Sequence, residues 1–122
     1  MPAVINITKS KLPLIKWDVF KNKALGKKYD LSVVICTSSL SKSLNKKYRA
    51  KNKPANILSF PLNKTSGEIF IDINVATKEA KERGVNLKEQ LTFLYVHGLA
   101  HLAGFRHGSR MDKFESVIHR NK

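Results

Sequence analysis

Apolar positions along the chain fall into short alternating or β-branched runs separated by stretches with a helical stripe, the mark of strands interleaved with helices. Ala3–Thr8 alternates and is rich in β-branched residues, which predicts a first strand. Pro13 suits the first turn of a helix, and Leu14, Ile15, Val19, Phe20 and Leu25 form one apolar stripe over Leu14–Leu25, ending at Gly26. Leu31–Thr37 is a short apolar run that predicts a buried strand. Ser38, Ser39 and Ser41 offer caps for a basic helix over Ser41–Ala50. Lys51–Pro54 is a loop, Asn56–Pro61 is extended and ended by Pro61, Leu62–Ser66 is a polar connection, and Glu68–Ile73 alternates as another strand. Asn74 begins a helix that ends at Gly84, with a solvated, charge-mixed face at Glu79–Arg83. Val85–Lys88 leads into an apolar helix over Leu91–Ala103, and a last helix spans about Met111–Ile118. Repeats, low-complexity segments and linkers are absent from the sequence, so the expectation is one domain over residues 1–122 with a mixed α/β (α+β) architecture around a small sheet.

Charge changes this picture more than composition does. Lys and Arg total 23 against 9 acidic residues, a formal net charge of +14, and the pI is near 10.1. The stretch between Leu31 and Gly67 holds no acidic residue but contains Lys42, Lys46, Lys47, Arg49, Lys51, Lys53 and Lys64. Such a field attracts polyanions. Because the chain shows no amphipathic or lipidated anchor, nucleic acid is favoured over a membrane surface. An evenly solvated lysine-rich surface is the plainer account of any single lysine. No apolar run approaches the roughly 20 residues of a membrane span. The N-terminal MPAVINITKSKLPLIKW lacks the basic-then-apolar order of a secretion signal. The single cysteine, Cys36, has no internal partner and falls in an apolar run, which makes it a small buried residue. These features predict a cytoplasmic protein.

Candidate chemistry concentrates in His97–His107, HGLAHLAGFRH, which holds three of the four histidines. His97 and His101 stand at i and i+4 in the predicted helix, so both imidazoles leave one face, roughly 6 Å apart along the axis. Two ring nitrogens can then converge on one metal ion. Gly104 stops the helix by taking a left-handed conformation, letting the chain return His107 to the same point. Three neutral nitrogens with an open fourth position describe a catalytic zinc site. A lone histidine on an apolar helix is usually a satisfied core residue; a pair, a helix-stopping glycine and a third histidine are a far more specific set. Zinc peptidases of the H-E-x-x-H type place a glutamate after the first histidine as general base. Here that position is Gly98, which disfavours peptide hydrolysis. His119 reads as a surface histidine.

HGLAHLAGFRH resembles the H-G-x-L-H-L-x-G-Y-D-H signature of the YbeY family, bacterial metal-dependent endoribonucleases that act in ribosomal RNA maturation. Tyr48–Pro61, YRAKNKPANILSFP, is similar to that family's Y-R-x-x-D-x-P-T-D/N-V-L-S-F-P, and Gly67–Ile71, GEIFI, to its G-D/E-I-x-I strand. The resemblance implies a mostly four-stranded mixed sheet covered by helices, with a zincin-like metal helix packed centrally. It also implies one zinc ion per chain on His97, His101 and His107, and a single-strand-specific endoribonuclease in ribosomal RNA 3′-end maturation and ribosome quality control. The expected partners are single-stranded or ribosomal RNA, with ribosomal proteins or the small ribosomal subunit. The sequence departs from the signature at Arg106 (for Asp), Phe105 (for Tyr), Ala100 (for Leu) and Ala55 (for Thr), and the segment after His107 is shorter and less acidic. These departures leave the ligands intact and bear on catalytic rate.

Arg49, in the family's Y-R position, is the candidate for stabilising charge at phosphorus, because guanidinium binds phosphate through paired donors. Lys51 is a weaker phosphate contact, and Asn56 and Ser59 offer hydrogen bonds along a cleft. Glu68 has three readings: general base, partner orienting a histidine, or exposed strand-end carboxylate. Tyr48 and Phe105 are aromatics suited either to stack unpaired bases or to pack at the core's rim. Arg106 beside a metal site suits phosphate. Leu58 and Phe60 read as core. Two other classes stay open on the sequence: an assembly factor without catalysis whose metal is structural, and another zinc hydrolase.

Overall fold

The computed structural model describes residues 2–104 and Glu115; Phe105, Arg106, His107, His119 and, apart from Glu115, the predicted helix over Met111–Ile118 lie outside the described residues. The described chain runs β1 (Ala3–Asn6), α1 (Trp17–Leu25), β2 (Asp30–Cys36), α2 (Ser38–Arg49), β3 (Ile57–Asn63), β4 (Ser66–Asp72), α3 (Ile73–Arg83) and α4 (Leu87–Leu102). Among the described residues these strands make one four-stranded sheet in the order β1-β2-β4-β3. β1 pairs parallel with β2 and β2 with β4, whereas β3 joins β4 antiparallel as a hairpin. The sheet is therefore mixed, with helices covering it, as an α+β chain requires when each strand has an apolar face to bury.

Period-two alternation sorts the sheet into two faces. Val33 and Ile35 of β2 lie beside Ile69 and Ile71 of β4, which lie beside Ser59 and Ile57 of β3. All of these except Ser59 are buried, and they form the core with Leu91, Leu94, Tyr95, Val96 and Leu99 of α4. A Cβ at Gly98 would stand 2.7 Å from Ile57 Cδ1 and 3.0 Å from Ser59 Oγ, so α4 lies directly on β3 and β4 there. Tyr95 secures α1 to this layer: its ring meets Trp17 edge-on at 4.8 Å, and its hydroxyl donates to the Trp17 carbonyl at 2.9 Å. Burial, with Asp18 nearby, pushes that hydroxyl well above its ordinary pKa, which keeps it a donor. On the opposite face, Phe60 meets Phe70 and Tyr48. The buried Asp72 accepts from Ser41 Oγ of α2 at 2.6 Å.

Several element boundaries differ from the sequence expectation. The first helix starts at Trp17, and Leu14, predicted in its stripe, is 91% exposed. β1 stops at Asn6, whose side chain accepts from the Thr8 N–H and hydroxyl in a local turn. α2 begins at Ser38, with Thr37 as N-cap; the expected caps Ser38, Ser39 and Ser41 lie within it, and the Ser41 hydroxyl serves Asp72. Pro61 does not end its strand: β3 continues to Asn63. A proline is tolerated there because β3 is an edge strand. α3 is capped by Asp72, which accepts from the Asn74 and Val75 N–H groups, so Asn74 is already helical. α4 starts a turn earlier than expected, with Asn86 Oδ1 accepting from the Glu89 N–H. Gly104 takes φ 95°, the left-handed stop anticipated from the sequence.

Candidate metal centre and cleft

α4 presents His97 and His101 one turn apart on its partly exposed face. Their Nε2 atoms lie 3.2 Å apart, with the rings nearly perpendicular at 82°. Two nitrogens at about 2.0–2.1 Å from one tetrahedral ion stand about 3.3–3.4 Å apart, so the pair has close to the spacing a shared zinc ion demands. On the other side of the ring, His97 Nδ1 lies 3.1 Å from Glu115 Oε1. A carboxylate there holds the proton on Nδ1 and leaves the Nε2 lone pair directed at His101. Facing nitrogens at that distance are stable only with a proton or a cation between them. The donor set therefore fits a metal ion. Among the described residues no group of three His, Cys, Asp or Glu side chains assembles, and the expected third ligand, His107, lies outside them.

The position after His97 explains itself structurally. Gly98 is buried against Ile57, Ser59 and Ile69, and α4 could not approach β3 this closely with any side chain there. The carboxylate next to His97 comes instead from Glu115, far along the chain. Sequence reasoning missed it, because no local spacing connects residues 97 and 115.

An open cleft runs past the histidines, lined by Tyr48, Arg49, Asn56, Ser59, Phe93, His97, His101 and Gly104 among others. β3 forms its floor. α2 supplies one wall and α4 the other. α2 ends at Arg49 because Ala50 turns into the left-handed region at φ 55°, which leaves the exposed Arg49 at the helix end. Tyr48 is 57% exposed beside it, its ring 5.2 Å from Phe60. Asn56 lines the cleft while its amide donates to Glu79 Oε2 at 3.2 Å. Ser59 Oγ donates to the Gly98 carbonyl at 3.3 Å, tying the floor to the metal helix. Lys51 is exposed but is not among the cleft-lining residues. Glu68 pairs with Phe60 and Ser32 on the sheet face turned away from α4, so the fold separates it from the histidine pair. Arg106 lies outside the described residues. Phe93, absent from the sequence-based candidates, is 40% exposed in the cleft wall.

Comparison with known proteins shows the family and the fold. The family model described as Endoribonuclease YbeY matches residues 8–121. The chain belongs to the YbeY family. The Endoribonuclease YbeY of Aquifex aeolicus is 37% identical over 112 residues, covering 84% of this chain and 75% of that protein. That of Ehrlichia canis is 32% identical over 106 residues, covering 83% of this chain and 66% of that protein. The aligned part of this chain thus spans about two thirds to three quarters of these YbeY proteins. A Thermotoga maritima protein solved in solution shares the fold, with a TM-score of 0.68 at 21% identity over 97% of this chain and 86% of that one.

Proposed function

We propose that this chain is a zinc-dependent endoribonuclease that cleaves single-stranded RNA, working in ribosomal RNA 3′-end maturation and ribosome quality control in the cytoplasm. The observation that carries the reading is the Nε2 pair of His97 and His101 at 3.2 Å, set in the wall of a cleft that Arg49 also lines. Membership of a family whose relatives are named endoribonucleases supports it, as does the net charge of +14. The described residues contain no helix long and apolar enough to cross a membrane.

His97, His101 and His107 would hold the ion. When bound, zinc supplies Lewis acidity, which polarises a phosphoryl oxygen and eases deprotonation of the attacking hydroxyl near neutral pH. Glu115 keeps the His97 proton on Nδ1 so that Nε2 stays a lone-pair donor. Arg49 places paired N–H donors toward the scissile phosphate, where charge builds as the bond to the leaving oxygen breaks. Tyr48 lies against the same wall and offers a ring face to a base. Lys51 and Arg106 would contact neighbouring phosphates, and Asn56 and Ser59 would shape the floor through their bonds to Glu79 and Gly98. Glu68 receives no step, because the sheet stands between it and the histidines.

Arg49→Ala and Arg49→Lys test the assignment of charge stabilisation. With a single-stranded RNA substrate, both lower kcat by roughly 100-fold or more, the usual scale for one preorganised donor at a developing charge. Zinc content stays unchanged. A variant that raises KM alone would reduce Arg49 to a steering residue.

A further inference from the structure

The apolar side chains of α4 are buried or, at Leu87 and Leu102, partly buried, and Phe93 is its exposed large apolar residue. Leu91, Leu94, Tyr95, Val96 and Leu99 are all at or below 1% exposure, whereas Phe93 is 40% exposed. It stands four residues before His97, so Phe93, His97 and His101 form one stripe along the cleft wall. The Phe93 ring plane is within 19° of the His97 ring, with centroids 6.5 Å apart. Its own support is elaborate for a surface ring. The Arg83 guanidinium carbon sits 4.6 Å from its centroid. That guanidinium donates to Gln90 Oε1. Gln90 is buried, and its amide donates to Glu79 Oε1 at 3.1 Å. Glu79 also accepts from Asn56 in the cleft. A chain of polar contacts thus fixes a cation against an exposed aromatic ring, and fixed geometry lowers the ordering cost of binding.

We propose that Phe93, held by Arg83, is the stacking platform for one unpaired nucleobase of the substrate, next to the histidine pair. The inference rests on the RNA reading above and deepens it. Every base offers a π-face, so such a platform tolerates sequence. A base inside a duplex cannot reach it without unpairing, so the platform selects single strands. The spacing along α4 also places the adjoining phosphodiester near His97, one helical turn of about 5.4 Å away. Tyr48 and Arg49, at the end of α2, line the same cleft from the other wall. Arg83 acts through the ring and is a positioning residue.

The test uses the full chain and a short single-stranded RNA with one 2-aminopurine placed at successive positions, read as fluorescence on mixing. Wild type is expected to quench the probe strongly at one position. Phe93→Leu, which keeps the apolar volume and removes the π-face, is expected to lose that quench and to bind roughly tenfold more weakly. Phe93→Trp is expected to retain both. A duplex of the same sequence is expected not to compete. Unchanged quench and affinity in Phe93→Leu would overturn the platform while leaving RNA binding intact. Failure of wild type to bind the RNA would overturn the platform together with the reading beneath it.

Discussion

Single residues carry the chemistry, and two of them have measurable consequences apart from catalysis. Glu115 holds His97 through Nδ1 at 3.1 Å. Glu115→Ala is expected to weaken zinc binding about 10- to 100-fold, the usual effect of removing a carboxylate behind a histidine ligand; competition against a chromophoric chelator measures it, and an unchanged affinity would refute the role. Cys36 behaves differently. Burial, reinforced by Asp72, pushes its thiol up to about 11. Its neutral form is therefore favoured in the fold, and the unfolded chain releases this proton first. Stability is fully present below the ordinary thiol range and declines as pH rises through it toward 11. Native protein at pH 8 is expected to resist iodoacetamide, with modification appearing in denaturant; rapid native labelling would contradict the burial. The histidine pair was legible in the sequence because helical spacing dictates which side chains meet. Glu115 and Phe93 were not. One is brought in by tertiary contact from 18 positions away, and the other is distinguished from its apolar neighbours only by exposure, which periodicity on a mostly buried helix does not reveal.

At the scale of elements, the close approach of α4 to β3 and β4 sets the site's depth. Gly98→Glu would restore the peptidase-like order of residues, yet its Cβ meets Ile57 Cδ1 at 2.7 Å and its carboxylate would be buried. Overpacking alone costs about 1–3 kcal/mol, and the buried charge adds to it. A marked drop in the urea midpoint is expected; an unchanged midpoint would show that the helix is free to shift. Asp72 joins α2, β4 and α3 by capping one helix and accepting the Ser41 hydroxyl of another. Asp72→Ala is expected to cost about 2–4 kcal/mol, from the lost cap and the orphaned hydroxyl, measured by chemical denaturation. Strands and helices were legible from periodicity, but helix starts were displaced. Asp72 caps the helix that Asn74 was expected to begin, Asn86 caps a start for which the sequence reading named no cap, and Thr37, not a serine, holds the N-cap position of α2 without a side-chain bond. Short polar side chains recur near these helix starts, so the sequence alone leaves open which one caps.

For the whole molecule, fold class followed from the interleaving of strand and helix patterns and the four-stranded mixed sheet from the family resemblance, whereas the strand order β1-β2-β4-β3 depends on long-range pairing that neither expressed. Charge is the other property of that scale. With a net +14, affinity for single-stranded RNA is expected to fall log-linearly with salt, at a slope of roughly −0.7 per phosphate neutralised; a flat dependence would remove the basic surface from the account. The central claim is that the histidines hold a metal that RNA cleavage requires. Metal content and cleavage of single-stranded RNA, measured on the same preparations of wild type and His101→Ala, test it most directly. One zinc per chain in the wild type, with metal and cleavage lost together in the variant, is the predicted result. A wild type that cleaves without metal, or a variant that cleaves as well as wild type, would contradict it.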